Sequence, residues 1–313
     1  MSAQLNKKLT KPFRTPLIDP FFSYKIPYLS KKGVIKKLIE KRLVTKTGEG
    51  LYSYSGIINE LMESLDLAFR NIFREFTRDD ISFPATITYE ALEKAGYFRD
   101  FRNIVEHISV MDKQSIDNRR NHKIKPKLIT QKALLPAACL PWFSILKHRT
   151  FSKGVVSVTT RNKVFRNEIK YPDIFRMNEF DLREIIFLGS DQEVKRALER
   201  GTEIIKSFIK KCKITFQLKR ASDIFFQGQS KEKAFYQLFA GSKIELNAYC
   251  SDLNKYLPIG SINYHGNHFG KAFKICFKDK WAHSGCIGFG LQRWALIFLN
   301  FHGLNKRKWP RYK

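Results

Sequence analysis

Strand-like runs follow one another at short intervals in the second half of this 313-residue chain, and this spacing constrains the fold most strongly. Most of the intervals are too short for the helical crossover that joins parallel strands, so the pattern predicts antiparallel pairing. The polar segment between residues 166 and 183 predicts a hairpin with a long loop. The predicted strands cover residues 155–159, 163–166, 183–188, 214–218, 243–249, 259–264 and 272–277.

Helical patterns frame these strands. Apolar residues recur at helical spacing from Ile57 to Phe76, and residues 89–101 return to helix after a strand-like run at 81–87 that contains a proline, Pro84. Ser190 and Glu193 form a capping box at the start of a helix over 191–211, one face of which is basic. A last helix is predicted over 291–302, ended by Gly303. No Walker or Rossmann pattern occurs, so the expected class is α+β rather than a parallel nucleotide-binding fold.

The charge balance indicates an anionic partner. Lys and Arg number 57 against 29 Asp and Glu, which gives a net charge of +28, well above what solubility requires. The five cysteines are scattered and form no CxxC pair, which indicates a reducing cytoplasm rather than a disulfide framework. No apolar stretch is long enough for a bilayer, and the N-terminus lacks the apolar region of a signal peptide. The sequence therefore predicts a cytoplasmic protein with no membrane partner.

A glycine-rich run leads into the last helix. Gly285, Gly288 and Gly290 let the backbone approach a ligand closely, and Arg293 lies in the first turn of the helix that follows. Spacing of this kind is common in caps and packing turns, but it is also typical of a phosphate site.

Three motifs in a fixed order carry a family resemblance. Phe83-Pro84, the run Phe165-Arg166-Asn167-Glu168 followed by Arg176, and the glycine run ending at Arg293 resemble motifs 1, 2 and 3 of class II aminoacyl-tRNA synthetases. Residues 136–139, 221–226, 263–270 and 284–293 look like those of amino acid:[carrier protein] ligases, relatives of the catalytic core of atypical zinc-dependent seryl-tRNA synthetases. The likeness runs from about residue 22 to about residue 310. It implies an antiparallel sheet flanked by helices, with a basic segment at 1–50 and a catalytic domain at 51–313.

The resemblance implies that ATP activates a small amino acid as an aminoacyl-adenylate, which passes to the phosphopantetheine thiol of a carrier protein. Arg166 and Arg293 would be the catalytic residues. Arg166 would hold the α-phosphate, and Arg176 and Arg293 would hold the outer phosphates. Adenine would contact Glu168 and stack on Phe180. The positions that would hold Mg²⁺ and so complete the ATP site are Glu245 and Ser261.

A zinc site is also implied by the resemblance alone. Cys139, Glu184 and Cys286 lie too far apart in the chain to be recognised as a metal site from spacing. They fall on the family's three zinc ligands, which leave one position open for the α-amino group of the substrate. Glu184 would thereby also contact the amino acid, as would Asp223. His265 and His268 are expected to be structural or to support the site.

Partners follow from the same resemblance and from the charge. We expect a homodimer with Pro84 at the subunit interface, and an acidic phosphopantetheinylated carrier protein that docks on the basic face of helix 191–211. Two alternatives stay open: a seryl-type synthetase that charges tRNA, which the +28 charge would suit, and a non-catalytic nucleic-acid binder on a synthetase fold. Whether the substrate is glycine, alanine or serine is left open.

Overall fold

The structure is a computed structural model that describes residues 19–27, 31–111, 128–168, 170–221 and 242–312. Its centre is a seven-stranded antiparallel sheet in the order β1-β10-β11-β12-β15-β9-β8. Two small three-stranded sheets, β4-β6-β5 and β14-β13-β7, and a hairpin, β2-β3, lie around it. The strands are β1 Phe22–Tyr24, β2 Val44–Gly48, β3 Leu51–Tyr54, β4 Thr86–Thr88, β5 His107–Met111, β6 Leu128–Leu134, β7 Thr150–Phe151, β8 Val156–Phe165, β9 Glu179–Gly189, β10 Phe216–Arg220, β11 Lys243–Cys250, β12 Lys255–Gly266, β13 Cys276–Phe277, β14 Lys280–Trp281 and β15 His283–Gly290.

Helices cover the two faces of the large sheet unequally. They are α1 Val34–Glu40, α2 Ile57–Ile72, α3 Tyr89–Lys94, α4 Tyr97–Asp100, α5 Leu140–Ile145, α6 Asp191–Lys211, α7 His268–Phe273 and α8 Leu291–His302, with a 3₁₀ turn at Lys306–Lys308. One face packs against α1, α2, α6 and α8 and forms the larger apolar core. The smaller core lies on the opposite face with α3, α5 and α7, at one end of the strands. The remainder of that face carries polar residues, among them Glu184 and Thr160, together with the apolar Leu182 and Val164.

The expected α+β class and antiparallel sheet are confirmed. β8 and β9 form the predicted long-loop hairpin, and the two runs predicted at 155–159 and 163–166 are one continuous strand. Ser190 and Glu193 make the predicted capping box at the start of α6. Gly303 ends α8 with a φ of 70°, a left-handed conformation that glycine adopts without strain.

Three local predictions were wrong. Of the strand-like run at 81–87 only the end is a strand, because β4 begins at Thr86, and a single bridge lies just before the run at Asp80. Pro84, between the two, has no N–H to donate to a ladder. The helix predicted over 89–101 is two short helices separated at Gly96, whose φ is 77°. The strand predicted at 272–277 starts inside α7 and continues as the two-residue β13.

The described residues of the N-terminal segment, 19–27 and 31–50, pack against the catalytic domain predicted at 51–313. Val34 and Leu38 of α1 are buried in the larger core. The predicted boundary between residues 50 and 51 falls in the turn of the β2-β3 hairpin, so the hairpin spans that boundary.

A buried ion-pair network fixes α2 to the sheet. The Arg183 guanidinium donates two hydrogen bonds to Asp66 of α2, at 2.7 and 2.9 Å, and one to Asp80 at 2.6 Å. Because the arginine side chain is 3% exposed, these carboxylates replace the water it has lost. Among the described residues, no helix is long and apolar enough to cross a membrane.

Candidate active site

A row of residues crosses five strands on the sparsely covered face of the sheet. Glu245 of β11 pairs with Ser261 of β12, Ser261 with Gly288 of β15, Gly288 with Glu184 of β9, and Glu184 with Thr160 of β8. Cross-strand partners point to the same face, so this register brings Glu184, of the predicted zinc set, and the predicted magnesium pair onto one surface. Gly288 lies between them and adds no side chain.

The three predicted zinc ligands come together beside this row. Cys286 is two residues before Gly288 and therefore shares its face, and Cys139 immediately precedes α5. One ligand atom from each of Cys139, Glu184 and Cys286 lies within 4.8 Å of the others, roughly the span of two metal–sulfur bonds of about 2.3 Å. All three side chains are buried, with residue exposures of 5%, 4% and 2%.

The electrostatics of this cluster favour a cation. Burial raises the pKa of Glu184 to about 7, against the lowering effect of Cys286 and Arg166. The hydrogen bond with Cys139, burial and the Glu184 carboxylate all raise the pKa of Cys286. For Cys139 the hydrogen bond with Cys286 lowers the pKa, but burial and the Glu184 charge raise it by more, so the pKa of this thiol is also raised. Three acids crowded in a dry site resist ionisation, and a bound metal would reverse that preference.

An unpaired atom supports the same interpretation. Glu184 Oε2 and Thr160 Oγ1 are both buried, and neither has a hydrogen-bond partner among the described residues. A buried carboxylate oxygen without a partner is costly unless a ligand satisfies it. Two sulfurs and one carboxylate are a donor set that zinc accepts, so the residues fit the metal that the resemblance implies.

Two side chains that the sequence did not identify as ligands contact the Cys286 sulfur. Asn263 Nδ2 lies 3.5 Å from Cys286 Sγ and 3.0 Å from Ser261 Oγ, so it links the predicted zinc and magnesium positions. His265 Nε2 also lies 3.5 Å from that sulfur, while its Nδ1 contacts Ser284 Oγ at 3.1 Å. His265 thus supports the site, whereas His268 contacts the Ala95 carbonyl at 3.0 Å and serves the packing of α7.

The loop between β8 and β9 carries three of the seven predicted ATP contacts, Arg166, Glu168 and Arg176. Arg166 donates from Nε to the Pro136 carbonyl at 3.4 Å, and its guanidinium carbon lies 5.4 Å from the centre of the Phe180 ring. Arg176 pairs with Glu168 at 3.0 Å. The predicted adenine and phosphate residues other than Arg293 therefore lie on one loop and on the strand that follows it.

Arg293 joins this cluster from the first turn of α8. It donates from Nε to the Phe175 carbonyl at 2.5 Å and from Nη1 to the Pro258 carbonyl at 3.0 Å. Burial, together with the positive charges of Arg176 and Arg166, lowers the pKa of Arg293 to about 10. Three arginines thus share one region, where Glu168 and Asp173 balance part of their charge and a polyphosphate would neutralise the rest.

One predicted substrate contact cannot be placed, because Asp223 lies outside the described residues. A lysine that the sequence did not single out lies near the predicted magnesium pair instead. Lys243 is two residues before Glu245 on β11, and its ammonium lies 3.9 Å from the Glu245 carboxylate. The two-residue period of β11 puts Lys243 on the same face as Glu245, but nothing in the sequence marks this lysine as a site residue.

Known proteins provide a comparison for this geometry. No protein-family model matches the chain. Amino acid–[acyl-carrier-protein] ligase 1 of Bradyrhizobium diazoefficiens is 26% identical over 87% of this chain and 86% of its own length. Ligase 2 of the same organism is 25% identical over 83% of this chain and 80% of its own length. Type-2 serine–tRNA ligase of Methanococcus maripaludis is 23% identical over 84% of this chain, which spans 55% of that protein.

Solved structures show the fold. M. kandleri SerRS, in complex with A. aeolicus tRNASec, superposes with a TM-score of 0.83 at 18% identity, over 96% of this chain and 63% of that one. Cytoplasmic serine–tRNA ligase from Naegleria fowleri, in complex with AMP, gives a TM-score of 0.70 at 14% identity, over 94% of this chain and 69% of that one. The chain is thus a homologue of the amino acid–[acyl-carrier-protein] ligases and of type-2 serine–tRNA ligases, and it has the fold of a class II synthetase core.

Proposed function

We propose that this homologue of the amino acid–[acyl-carrier-protein] ligases is itself a ligase, which activates a small amino acid with ATP and transfers it to the phosphopantetheine thiol of a carrier protein. One observation carries the proposal. The Cys139, Glu184 and Cys286 cluster and the Glu245–Ser261 pair occupy one sheet face, as the strand register requires. An amino-group site and a nucleotide site on one surface are what adenylation needs, because its two substrates must meet.

In the first reaction a carboxylate oxygen of the amino acid attacks the α-phosphorus of ATP, and pyrophosphate leaves. Arg166 would stabilise the charge that develops on the α-phosphate oxygens, since its planar guanidinium donates to two oxygens at once. Arg176 and Arg293 would hold the leaving pyrophosphate. Phe180 would stack on adenine, and Glu168 would accept from its amino group. No protein nucleophile is needed, because the carboxylate of the substrate attacks directly.

Two metal ions complete the proposed site. Cys139, Glu184 and Cys286 would hold zinc, which would supply a Lewis-acid site for the neutral α-amino group of the amino acid and so help to recognise it. Glu245 and Ser261 would hold Mg²⁺, which would neutralise charge on the phosphates of ATP. Asp223 would add a contact to the amino acid.

In the second reaction the carrier thiolate attacks the acyl carbon of the adenylate, a thioester forms and AMP leaves. An acidic carrier suits the +28 charge. Docking on the basic face of α6 has limited support, because Lys195 pairs with Asp191 at 2.8 Å and Arg200 with Glu75 at 2.8 Å. Arg196 makes no salt bridge among the described residues, although its charge acts on the nearby Glu193. A charge reversal at Arg196 therefore tests docking while it leaves the Lys195 and Arg200 pairs intact.

Transfer to tRNA is the second candidate. The net charge and the likeness to type-2 serine–tRNA ligases favour it, since tRNA binding depends on phosphate contacts. The chain spans about half the length of those relatives, and it spans most of the carrier-protein ligases it matches. The carrier-protein ligases are 26% and 25% identical to this chain, against 23% for the serine–tRNA ligase of Methanococcus maripaludis, and carrier loading is preferred on this ground. A non-catalytic nucleic-acid binder is the least favoured, since it would have no need for both the Cys139–Glu184–Cys286 cluster and the arginine cluster.

The protein is also proposed to act as a homodimer in the cytoplasm. Pro84, which would lie at the interface, is exposed in the single chain, just before β4 of the small β4-β6-β5 sheet. Light scattering of the purified protein tests this directly, and a monomer at micromolar concentration would reject it.

The main proposal is tested by amino-acid-dependent ATP–pyrophosphate exchange in zinc-replete protein with glycine, alanine and serine. Transfer is then measured to a phosphopantetheinylated carrier, to the same carrier without the arm, and to tRNA. Exchange followed by loading of only the phosphopantetheinylated carrier supports the proposal. Loading of tRNA alone would replace it with the second candidate, and no exchange with any of the three amino acids would reject both.

A further inference from the structure

We infer that Tyr171 is the positioning residue of the ATP site and that the β2-β3 hairpin holds it in place. The inference rests on the proposed function, because it concerns the loop over residues 166–178 that would contact ATP. That loop connects β8 to β9 and carries Arg166, Glu168 and Arg176. Long loops cannot place a guanidinium accurately unless something fixes their backbone.

The Tyr171 hydroxyl makes contacts at both ends of the loop. It donates to the Arg166 carbonyl at 3.1 Å and accepts from the Glu168 N–H at 2.9 Å. It also accepts from Asn178 Nδ2 at 2.9 Å. One donated and two accepted bonds use the full capacity of a hydroxyl, so this oxygen has no remaining role as a ligand.

These contacts hold the residues that would bind ATP. Arg166 and Glu168 are each fixed through their own backbone, at the carbonyl and the N–H that contact Tyr171. Arg176 follows indirectly, because it pairs with the Glu168 carboxylate at 3.0 Å. This hydroxyl thus links the predicted α-phosphate, adenine and outer-phosphate contacts, and it adds to the backbone bond that the Arg166 N–H donates to the Asn178 carbonyl at 2.7 Å.

The hairpin supports the ring of Tyr171 from the other side. Gly50 has a φ of +71°, and a Cβ at this position would lie 2.6 Å from Tyr171 Cδ1, which is closer than atoms can approach. The Gly50 carbonyl accepts from the Asn178 N–H at 2.9 Å. Tyr54 of β3 donates to Met177 Sδ at 3.0 Å. Only glycine at position 50 allows the ring to lie directly on the turn while the turn bonds the end of the loop.

The test compares Tyr171→Phe with Tyr249→Phe in the full-length protein. Each variant removes a hydroxyl that makes hydrogen bonds, and the Tyr249 hydroxyl bonds Asn254 at 2.6 Å. We expect Tyr171→Phe to raise the KM for ATP about tenfold in pyrophosphate exchange, with less than about a twofold change in the KM for the amino acid. Tyr249→Phe should change neither. An unchanged KM for ATP in Tyr171→Phe overturns the inference, as does an equal rise in both KM values.

Gly50→Ala provides a second variant with its own control. Gly154 also has a positive φ, +61°, but a Cβ there would meet nothing within 4 Å. Gly154→Ala therefore carries the backbone strain without the collision with a ring. The KM for ATP should rise in Gly50→Ala alone, and equal values in the two variants contradict the inference. If the wild-type protein exchanges pyrophosphate and both test variants keep its KM for ATP, only this inference is refuted. If the wild-type protein shows no exchange, the proposed function is refuted.

Discussion

Gly288 lies opposite Glu184 on the sheet face of the proposed amino-acid site. Its replacement by alanine should lower activity without lowering the free energy of unfolding. A Cβ at Gly288 would lie 3.5 Å from Leu182 Cδ1 and 3.8 Å from Glu184 Oε1, both ordinary van der Waals distances. Its φ is not positive, so alanine fits the backbone. The added methyl would point at the face that holds Glu184, where the substrate is proposed to lie.

The expected magnitudes follow from this geometry. Restricting the unfolded chain stabilises a protein by about 0.4–1 kcal/mol when alanine fits a glycine position, so the free energy of unfolding should stay the same or rise slightly. One methyl group in a substrate pocket costs about 1–3 kcal/mol, or roughly 10–200-fold in kcat/KM. We expect a loss in that range for glycine and at least as large a loss for alanine as substrate.

Urea denaturation and ATP–pyrophosphate exchange measure the two effects separately. Gly201→Ala is the matched control, because its Cβ would collide with Ile287 on the helix-covered face of the same sheet. That variant should lose stability, by about 1–3 kcal/mol, and keep its KM for the amino acid. If Gly288→Ala kept the wild-type kcat/KM for every accepted amino acid, the substrate would not lie on this face and the reasoning would be refuted.

Three further predictions concern charged groups. Arg176→Ala should raise the KM for ATP about tenfold in exchange kinetics and change the free energy of unfolding in urea by less than about 1 kcal/mol. Arg200→Ala, which breaks a comparable exposed pair, is the control and should change neither quantity. The pKa of Glu184 is about 7 in the folded protein against 4.5 in the unfolded chain, so ionisation of this group between pH 4.5 and 7 opposes folding. In chelator-treated samples the free energy of unfolding of the wild type should therefore fall relative to that of Glu184→Gln as pH rises from 4.5 to 7. A relative free energy of unfolding that stays constant or rises would contradict this. Asp66→Ala leaves the buried Arg183 with one carboxylate fewer and should cost about 3–5 kcal/mol in urea denaturation, whereas a cost below about 1 kcal/mol would show that the network adds little.

The sequence predicted those parts of the fold that depend on local patterns. The capping box at Ser190, the long-loop hairpin and the helix ending at Gly303 each need only residues close together in the chain. The prediction at 272–277 was wrong because α7 is too short for a clear helical period. It forms because Phe269 and Phe273, one turn apart, are both buried in the smaller core.

The candidate site was accessible to sequence reasoning only through family motifs. Nothing local relates Cys139, Glu184 and Cys286, and it is the register of β15 on β9 that brings two of them together. Asn263 and Tyr171 were not identified as site residues, because their contacts join distant segments or end on backbone atoms, which leave no pattern of residue types.

The central claim is that one chain forms an aminoacyl-adenylate and passes the acyl group to a carrier thiol. Its most direct test is the intact mass of a phosphopantetheinylated acidic carrier after incubation with the zinc-replete protein, ATP, Mg²⁺ and glycine, alanine or serine. The account predicts a mass gain of one aminoacyl group that depends on ATP and is removed by hydroxylamine, with no gain on the carrier that lacks the arm. Two results would contradict it: a carrier that stays unmodified while tRNA is charged, or a carrier that stays unmodified while no ATP is consumed.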